Sequence, residues 1–112
     1  MKIIQIIPLL DLAGAETMCE NLTNSLIKLG HEVIVISLYD YHSIITERME
    51  KNGIKIIYLN KKSGLDLSLT IKLVKIFKEY KPDIVHSHLY AGKYAHVAAS
   101  ICGVPGKVYT IH

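Results

Sequence analysis

Two histidines separated by one residue, His86 and His88, are the side chains in this sequence best suited to chemistry. The apolar pair Ile84-Val85 precedes them, and small residues in a helical pattern follow. Residues two apart on a strand lie on the same face of a sheet, so both imidazoles should share one face. A neutral imidazole offers a hydrogen-bond donor and an acceptor, and it can act as a general acid or base. The pattern predicts a site for a polar ligand where a buried strand ends.

We assign different positions to the two histidines. His86 is predicted to lie within the strand, as a core histidine with satisfied hydrogen bonds. His88 is predicted to lie past the strand, in a crevice at its carboxyl end. A zinc site would need more ligands, and because no cysteine or carboxylate follows at ligand spacing, we predict no metal site.

A glycine-bearing turn around Gly14 follows the first predicted strand. Glycine lets the backbone approach an anion closely, and the free N–H groups of a helix start would point at it. Alternatively, the turn simply needs glycine, and Glu16 complements the helix macrodipole. Spacing alone favours this second interpretation. The patterns GxGxxG and GxxxxGK[ST] are absent from the sequence, so we predict neither a standard NAD site nor a standard ATP site.

Two further candidates are predicted near the same edge. Tyr90 flanks the His88 loop, and His112 follows the last predicted strand, although a terminal residue is often disordered. The sequence shows no recognisable Ser/His/Asp or Cys/His triad and no carboxylate pair typical of a hydrolase.

Alternating strand and helix patterns must position these residues. Strands are predicted at residues 2–7, 31–37, 54–59, 83–87 and 107–111, with a helix in each interval. This alternation predicts an α/β fold: a doubly wound, Rossmann-like parallel sheet with helices on both faces. Right-handed crossovers with one change of direction give the strand order 3-2-1-4-5. Ligands bind such sheets at the carboxyl edge, where strands one and four meet and where Gly14 and His88 are expected.

Composition narrows the class of protein. The 112 residues fit one domain, and a net charge of +3 is too mild for a nucleic-acid partner. Cys19 and Cys102 are far apart and form no disulfide pattern, so a reducing cytoplasm is expected. No apolar run approaches the roughly 20 residues of a membrane span. The lysines of the third helix could contact anionic lipid at the inner membrane face, although a solvated helix face is the simpler interpretation.

Four segments, taken together and in order, carry a family resemblance: MKIIQIIPLL-DLAGAE, LIKLGHEVIVIS, KPDIVHSHL and GVPGKVYTIH. They resemble the N-terminal domain of the retaining glycosyltransferases of family 4, which have the GT-B fold. The resemblance implies two Rossmann-like domains facing a cleft, with the acceptor mainly on the N-terminal domain and a nucleotide-sugar donor on the C-terminal one. It also implies hexosyl transfer with retention, without a metal and with no cofactor besides the donor substrate.

The same resemblance implies roles for single residues. Gly14 corresponds to the glycine that approaches the donor diphosphate, although the family usually has two glycines where this chain has Ala13 and Gly14. His88 corresponds to the catalytic-site histidine that contacts the transferred sugar. His112 would help to line the donor side of the cleft, and we assign Glu16 and Tyr90 to the acceptor.

Residues 1–112 would then be an incomplete N-terminal domain, and we expect them to be inactive or nearly so on their own. A donor-binding C-terminal domain would be required in cis or in trans, and whether this chain is itself an enzyme stays open. Two alternatives also stay open. The chain could be a non-catalytic or half-enzyme subunit that needs a separate donor-binding chain, or a small flavodoxin-like binding domain.

Overall fold

The computed structural model describes residues 1–10 and 14–110, except for the side chain of Ala15. Five strands alternate with four helices over these residues. In chain order the elements are β1 (Lys2–Ile7), α1 (Gly14–Lys28), β2 (Glu32–Ser37), α2 (Ile44–Lys51), β3 (Lys55–Tyr58), α3 (Leu67–Tyr80), β4 (Ile84–His88), α4 (Ala91–Cys102) and β5 (Gly106–Thr110).

All strand neighbours pair in parallel, and their order is β3-β2-β1-β4-β5, which confirms the predicted topology. Strands β1 and β2 consist largely of isoleucine and valine, and from their second residue onwards they are buried. Near-continuous apolar strands are typical of a parallel sheet covered on both faces. Ile4 and Ile6 pack with α3 and α4, whereas Ile7 packs with α1 and α2. Each face of the sheet therefore has its own apolar core.

Side-chain caps set the starts of two helices. The Ser43 hydroxyl accepts from the Thr46 N–H, and the Thr46 hydroxyl accepts from the Ser43 N–H, so α2 begins with a reciprocal capping box. Asp66 caps α3 by accepting from the Ser68 N–H at 3.1 Å.

The prediction that His88 lies past the fourth strand is wrong. The ladder between β4 and β5 continues until His88 stands opposite Thr110, so His88 is the last residue of β4. Its side chain has no exposed surface, while His86 is only partly buried. The sequence pattern places the end of the strand one residue too early because it does not reveal how far β5 pairs.

Candidate functional site

Four polar side chains lie side by side on one face of the sheet, and we call them the inner row: Gln5, His86, His88 and Thr110. Gln5 stands opposite His86 in the pairing of β1 with β4, and Thr110 stands opposite His88 in the pairing of β4 with β5. The two imidazoles stack with their ring centroids 4.3 Å apart. His86 Nε2 lies 2.5 Å from the Thr110 hydroxyl. The inner row thus carries hydrogen bonds across three strands.

The bond between Gln5 and His88 determines which nitrogen of His88 carries a proton. His88 Nε2 lies 2.8 Å from Gln5 Oε1, and both residues are fully buried. An amide oxygen only accepts hydrogen bonds, so Nε2 donates and Nδ1 has acceptor character in the neutral ring. The other end of the amide, Gln5 Nε2, is buried and has no hydrogen-bond partner among residues 1–10 and 14–110. The inner row therefore holds one donor that these residues do not satisfy.

A strained turn follows the inner row. Leu89 adopts φ of +56°, a left-handed conformation that costs a non-glycine residue about 1 kcal/mol. Its N–H donates to the Thr110 carbonyl at 3.2 Å, which keeps the turn attached to β5. Tyr90 comes next and occupies the N-cap position of α4. The left-handed turn at Leu89 therefore joins the end of β4 to the start of α4 through only two residues, Leu89 and Tyr90.

The start of α1 provides the second wall of this edge. Gly14 is the first residue of the helix and is exposed. A Cβ atom added there would meet no atom of the described residues within 4 Å, so packing against them does not explain the glycine. Glu16, in the first turn, is only 6% exposed. Its Oε2 is buried without a hydrogen-bond partner in the described part of the chain.

Three side chains form a more open group, which we call the outer cluster: Tyr39, Lys61 and Tyr90. Tyr39 follows β2, Lys61 follows β3, and Tyr90 follows β4. The Tyr90 hydroxyl donates to the Tyr39 hydroxyl at 3.3 Å, and the Lys61 ammonium lies 5.6 Å from the centre of the Tyr39 ring. This hydrogen bond and the Lys61 charge lower the pKa of Tyr39, while burial and the same bond raise the pKa of Tyr90.

The comparison with family models identifies the chain. Residues 12–112 match the model of Glycosyltransferase Family 4. The chain belongs to glycosyltransferase family 4. An uncharacterized 42.6 kDa protein in the cps region of Klebsiella pneumoniae is 35% identical to this family 4 chain, in a match that covers 72% of the chain and 27% of the relative.

Solved structures confirm the fold class of this family 4 chain. A glycosyltransferase from Rickettsia africae matches with a TM-score of 0.72 at 23% identity, over 98% of the chain and 28% of that protein. The C-terminal domain of a hydrogenase from Pyrococcus furiosus matches with a TM-score of 0.73 at 14% identity, over 97% of the chain and 90% of that domain. These likenesses show the Rossmann-like fold alone. The chain spans just over a quarter of the Klebsiella relative and of the Rickettsia enzyme.

The predicted site residues of the family 4 chain fall into three groups. Gly14 and Glu16 lie in the first turn of α1, which follows β1, and His88 ends β4, the strand paired with β1. Tyr90 lies in the outer cluster. His112 lies outside the described residues. Gln5 was not among the residues predicted from the sequence. The signal was a single amide within the strand KIIQII, because a buried amide needs a partner.

The described residues form neither a metal centre nor a membrane span. Residues 1–10 and 14–110 contain no group of three or more histidine, cysteine or acidic side chains arranged to hold a metal ion. Over the same ranges no helix is long and apolar enough to cross a membrane.

Proposed function

We propose that this chain is the acceptor-side domain of a retaining glycosyltransferase. The enzyme would move a sugar from a nucleotide-sugar donor to a glycan, lipid or small-molecule acceptor. Gly14 would lie against the donor diphosphate, and His88 would hold the transferred sugar near its anomeric carbon. Glu16 and Tyr90 would contact the acceptor, and His112 would help to line the donor side. A donor-binding domain, in cis or in trans, would complete the cleft.

The observation that carries this proposal is the shared location of Gly14 and His88. Gly14 opens the helix that follows β1, and His88 ends β4, the strand paired with β1. This junction is the point where the winding direction of the sheet changes, and doubly wound folds bind ligands there. The free N–H groups at the start of α1 favour an anion, and no atom of the described residues lies within 4 Å of the position of a Cβ on Gly14.

Two buried polar atoms fit the role of contacts to a sugar or an acceptor. Gln5 Nε2 is a donor and Glu16 Oε2 is an acceptor, and neither has a partner in the described ranges. An unsatisfied buried polar atom costs about 1–3 kcal/mol, so a ligand hydroxyl that pairs with it gains that energy back. His88 is fully buried, so the proposal requires the crevice to open at its ring when the donor binds.

The proposed setting is the cytoplasm, with a peripheral contact to the inner face of the membrane. Cys19 is buried and Cys102 half-buried, and both are free thiols, as expected of a protein in a reducing compartment. We propose no nucleic-acid partner, because the net charge is only +3.

The first test measures sugar transfer by the intact gene product with a panel of nucleotide-sugars. We expect His88→Ala and His88→Gln to reduce turnover by about 10²-fold or more, the scale seen when a preorganised hydrogen-bonding group is removed from a transition state. Product anomers read by NMR report whether the configuration is retained. The 112 residues alone should transfer no sugar.

Ser87→Ala is the matched control for this test. Ser87 is the neighbouring buried residue of β4, lies on the opposite face, and makes one long hydrogen bond to the Val108 carbonyl at 3.5 Å. The Ser87→Ala variant should unfold at nearly the wild-type temperature and transfer sugar at the wild-type rate. A folded His88→Gln protein with undiminished turnover would contradict the role of His88.

A further inference from the structure

The loop between β3 and α3 buries the side chain of Asp66 while large apolar side chains on either side of it are exposed. Leu65 is 68% exposed, Leu67 is 70% exposed, and Ile71, one helical turn after Leu67, is 61% exposed. We call these three residues the apolar tip. Asp66, between the two leucines, is only 7% exposed. We propose that the apolar tip and the lysines beside it dock this domain onto an anionic lipid surface.

A dense set of hydrogen bonds holds the loop in this conformation. The Asp66 carboxylate accepts from the Lys62 N–H at 3.0 Å and from the Ser68 N–H at 3.1 Å. The Asp66 N–H donates to the Tyr94 hydroxyl at 3.3 Å. The Lys61 ammonium donates to two carbonyls of the same loop, those of Lys62 and Gly64. The exposure of the leucines is therefore a property of an internally bonded loop.

Exposing three large apolar side chains within seven consecutive residues is unfavourable unless something covers them. Contiguous exposed apolar groups mark sites of interaction with proteins or membranes. Exposed aliphatic residues elsewhere occur in pairs over such a span, as do Ile27 and Leu29 at the end of α1, and Val97 and Ile101 on α4. The apolar tip differs because its three members fall within seven consecutive residues.

The charges around the apolar tip favour lipid over protein. Lys62, Lys72 and Lys75 are exposed along the same segment. Asp66 is the only acidic residue in the sequence from 61 to 75, and hydrogen bonds from Ser68 and Lys62 lower its pKa, so its charge is compensated within the loop. Leucines flanked by cations match a membrane whose anionic headgroups surround an apolar interior. A symmetric contact with a second copy would instead bring lysines against lysines.

The apolar tip lies next to the proposed acceptor side. Lys61 begins the loop and belongs to the outer cluster, with its ammonium 5.6 Å from the Tyr39 ring centre and 5.9 Å from the Tyr94 ring centre. Docking would therefore hold the outer cluster close to the lipid surface. This inference deepens the proposed function by making the acceptor lipid-borne, but the docking itself requires no sugar transfer.

The test is sedimentation of the protein with phosphatidylcholine vesicles made with and without phosphatidylglycerol. The protein should bind the anionic vesicles and bind neutral ones much more weakly. Leu67→Ser/Ile71→Ser should weaken binding by about tenfold or more, since two large aliphatic contacts are lost. The matched control, Leu29→Ser/Ile101→Ser, removes side chains of similar size and exposure and should bind like the wild type.

A second pair of variants tests the charges. Lys62→Gln/Lys72→Gln should weaken binding to anionic vesicles by about fivefold per lysine, the usual contribution of a cation near such a surface. Lys28→Gln/Lys51→Gln, with the same charge change on α1 and α2, should bind like the wild type.

Three results would overturn the docking proposal: no sedimentation with anionic vesicles, equal losses in the apolar tip variant and its control, or a dimer in solution that the apolar tip variant converts to a monomer. The last result would assign the surface to a second copy. Because no donor is present in these assays, failed docking and failed sugar transfer are separate outcomes.

Discussion

The inner row and the outer cluster belong to the same edge of the sheet but differ in construction. Gln5 and His88 of the inner row are fully buried and joined by a 2.8 Å hydrogen bond across two central strands. Tyr39 and Tyr90 of the outer cluster stand on loops and meet at 3.3 Å, with 44% of Tyr90 exposed. Buried polar groups in a low-dielectric interior keep one geometry, whereas exposed phenols can rearrange.

This difference suits the two substrates of the proposed reaction. The donor sugar must meet its contacts in one orientation, because small errors in position are costly for chemistry. Acceptors vary more, and aromatic side chains with mobile hydroxyls can adapt to them. Three variants test whether the contrast between a fixed row and an adaptable cluster holds.

The largest effect is expected in the inner row. Gln5→Met keeps the side-chain length but removes the acceptor of the buried His88 N–H, at a cost of about 1–3 kcal/mol, which the simultaneous loss of the unpaired Gln5 Nε2 partly offsets. The free energy of unfolding should therefore fall, by less than about 3 kcal/mol. Gln5→Met/His88→Leu removes both partners and should recover part of that loss. Chemical denaturation of the two variants measures both values. A single variant as stable as the wild type would show that the inner row does not depend on this bond.

A smaller effect is expected at Gly14, the first residue of α1. Gly14→Ala should leave stability unchanged or raise it by about 0.5–1 kcal/mol, because alanine favours the helix and no atom of the described residues obstructs its Cβ. Gly106→Ala is the contrasting variant, because its Cβ would lie 2.9 Å from the Ile84 side chain and 3.2 Å from the Asp83 carbonyl. This substitution should lower the free energy of unfolding by about 1–3 kcal/mol.

Donor binding separates the functional from the structural interpretation of Gly14. A weaker apparent affinity for the nucleotide-sugar in a fully folded Gly14→Ala enzyme is the expected result. An unchanged KM and kcat would leave Gly14 without a role in binding the diphosphate.

The smallest effect on stability is expected in the outer cluster. Tyr90→Phe removes the hydrogen bond that is the largest cause of the low pKa of Tyr39. The pKa of Tyr39 should therefore rise towards its ordinary value of 10.0, and the positive charge of Lys61 should still keep this pKa below that value. The free energy of unfolding should change by less than about 1 kcal/mol, since the bond is exposed.

Tyrosine ionisation followed by ultraviolet absorbance measures this shift. In the wild type, Tyr39 should lose its proton at a lower pH than Tyr90, whose pKa is raised. Tyr41→Phe is a control at another exposed tyrosine and should leave the ionisation of Tyr39 in place. An unchanged titration in Tyr90→Phe would mean that the two phenols do not interact in solution.

The sequence was sufficient for the architecture because its periodicity is strong and repeated. Apolar strands alternating with helical patterns determined the parallel sheet, and the crossover rules then gave its order. Element ends were less accurate, as at His88, because pairing with a neighbouring strand extends a strand beyond its own apolar run.

Sequence reasoning brought the candidate residues to one edge of the sheet but could not give their contacts. Gly14 and His88 were predicted to lie near each other because topology alone brings the ends of β1 and β4 together. Gln5 was missed because its partner, His88, is 83 residues away and becomes a neighbour only through the pairing of β1 with β4. Tyr39 and Lys61 were missed for a similar reason: each looks like an ordinary loop residue until three strand ends meet.

The central position of β1 in the sheet also has a consequence for folding. On one side β1 pairs with β2, which follows it closely in the chain, and on the other side it pairs with β4. The carboxylate of Asp83, the residue before β4, accepts a hydrogen bond from the Lys2 N–H across 81 residues. Closing so long a loop costs entropy before any contact is gained, which slows the pairing of distant parallel strands. We therefore expect β1, β2 and β3 to associate first and β4 to join them late. The bond between Gln5 and His88 would then be among the last to form, and its appearance would report completion of the sheet.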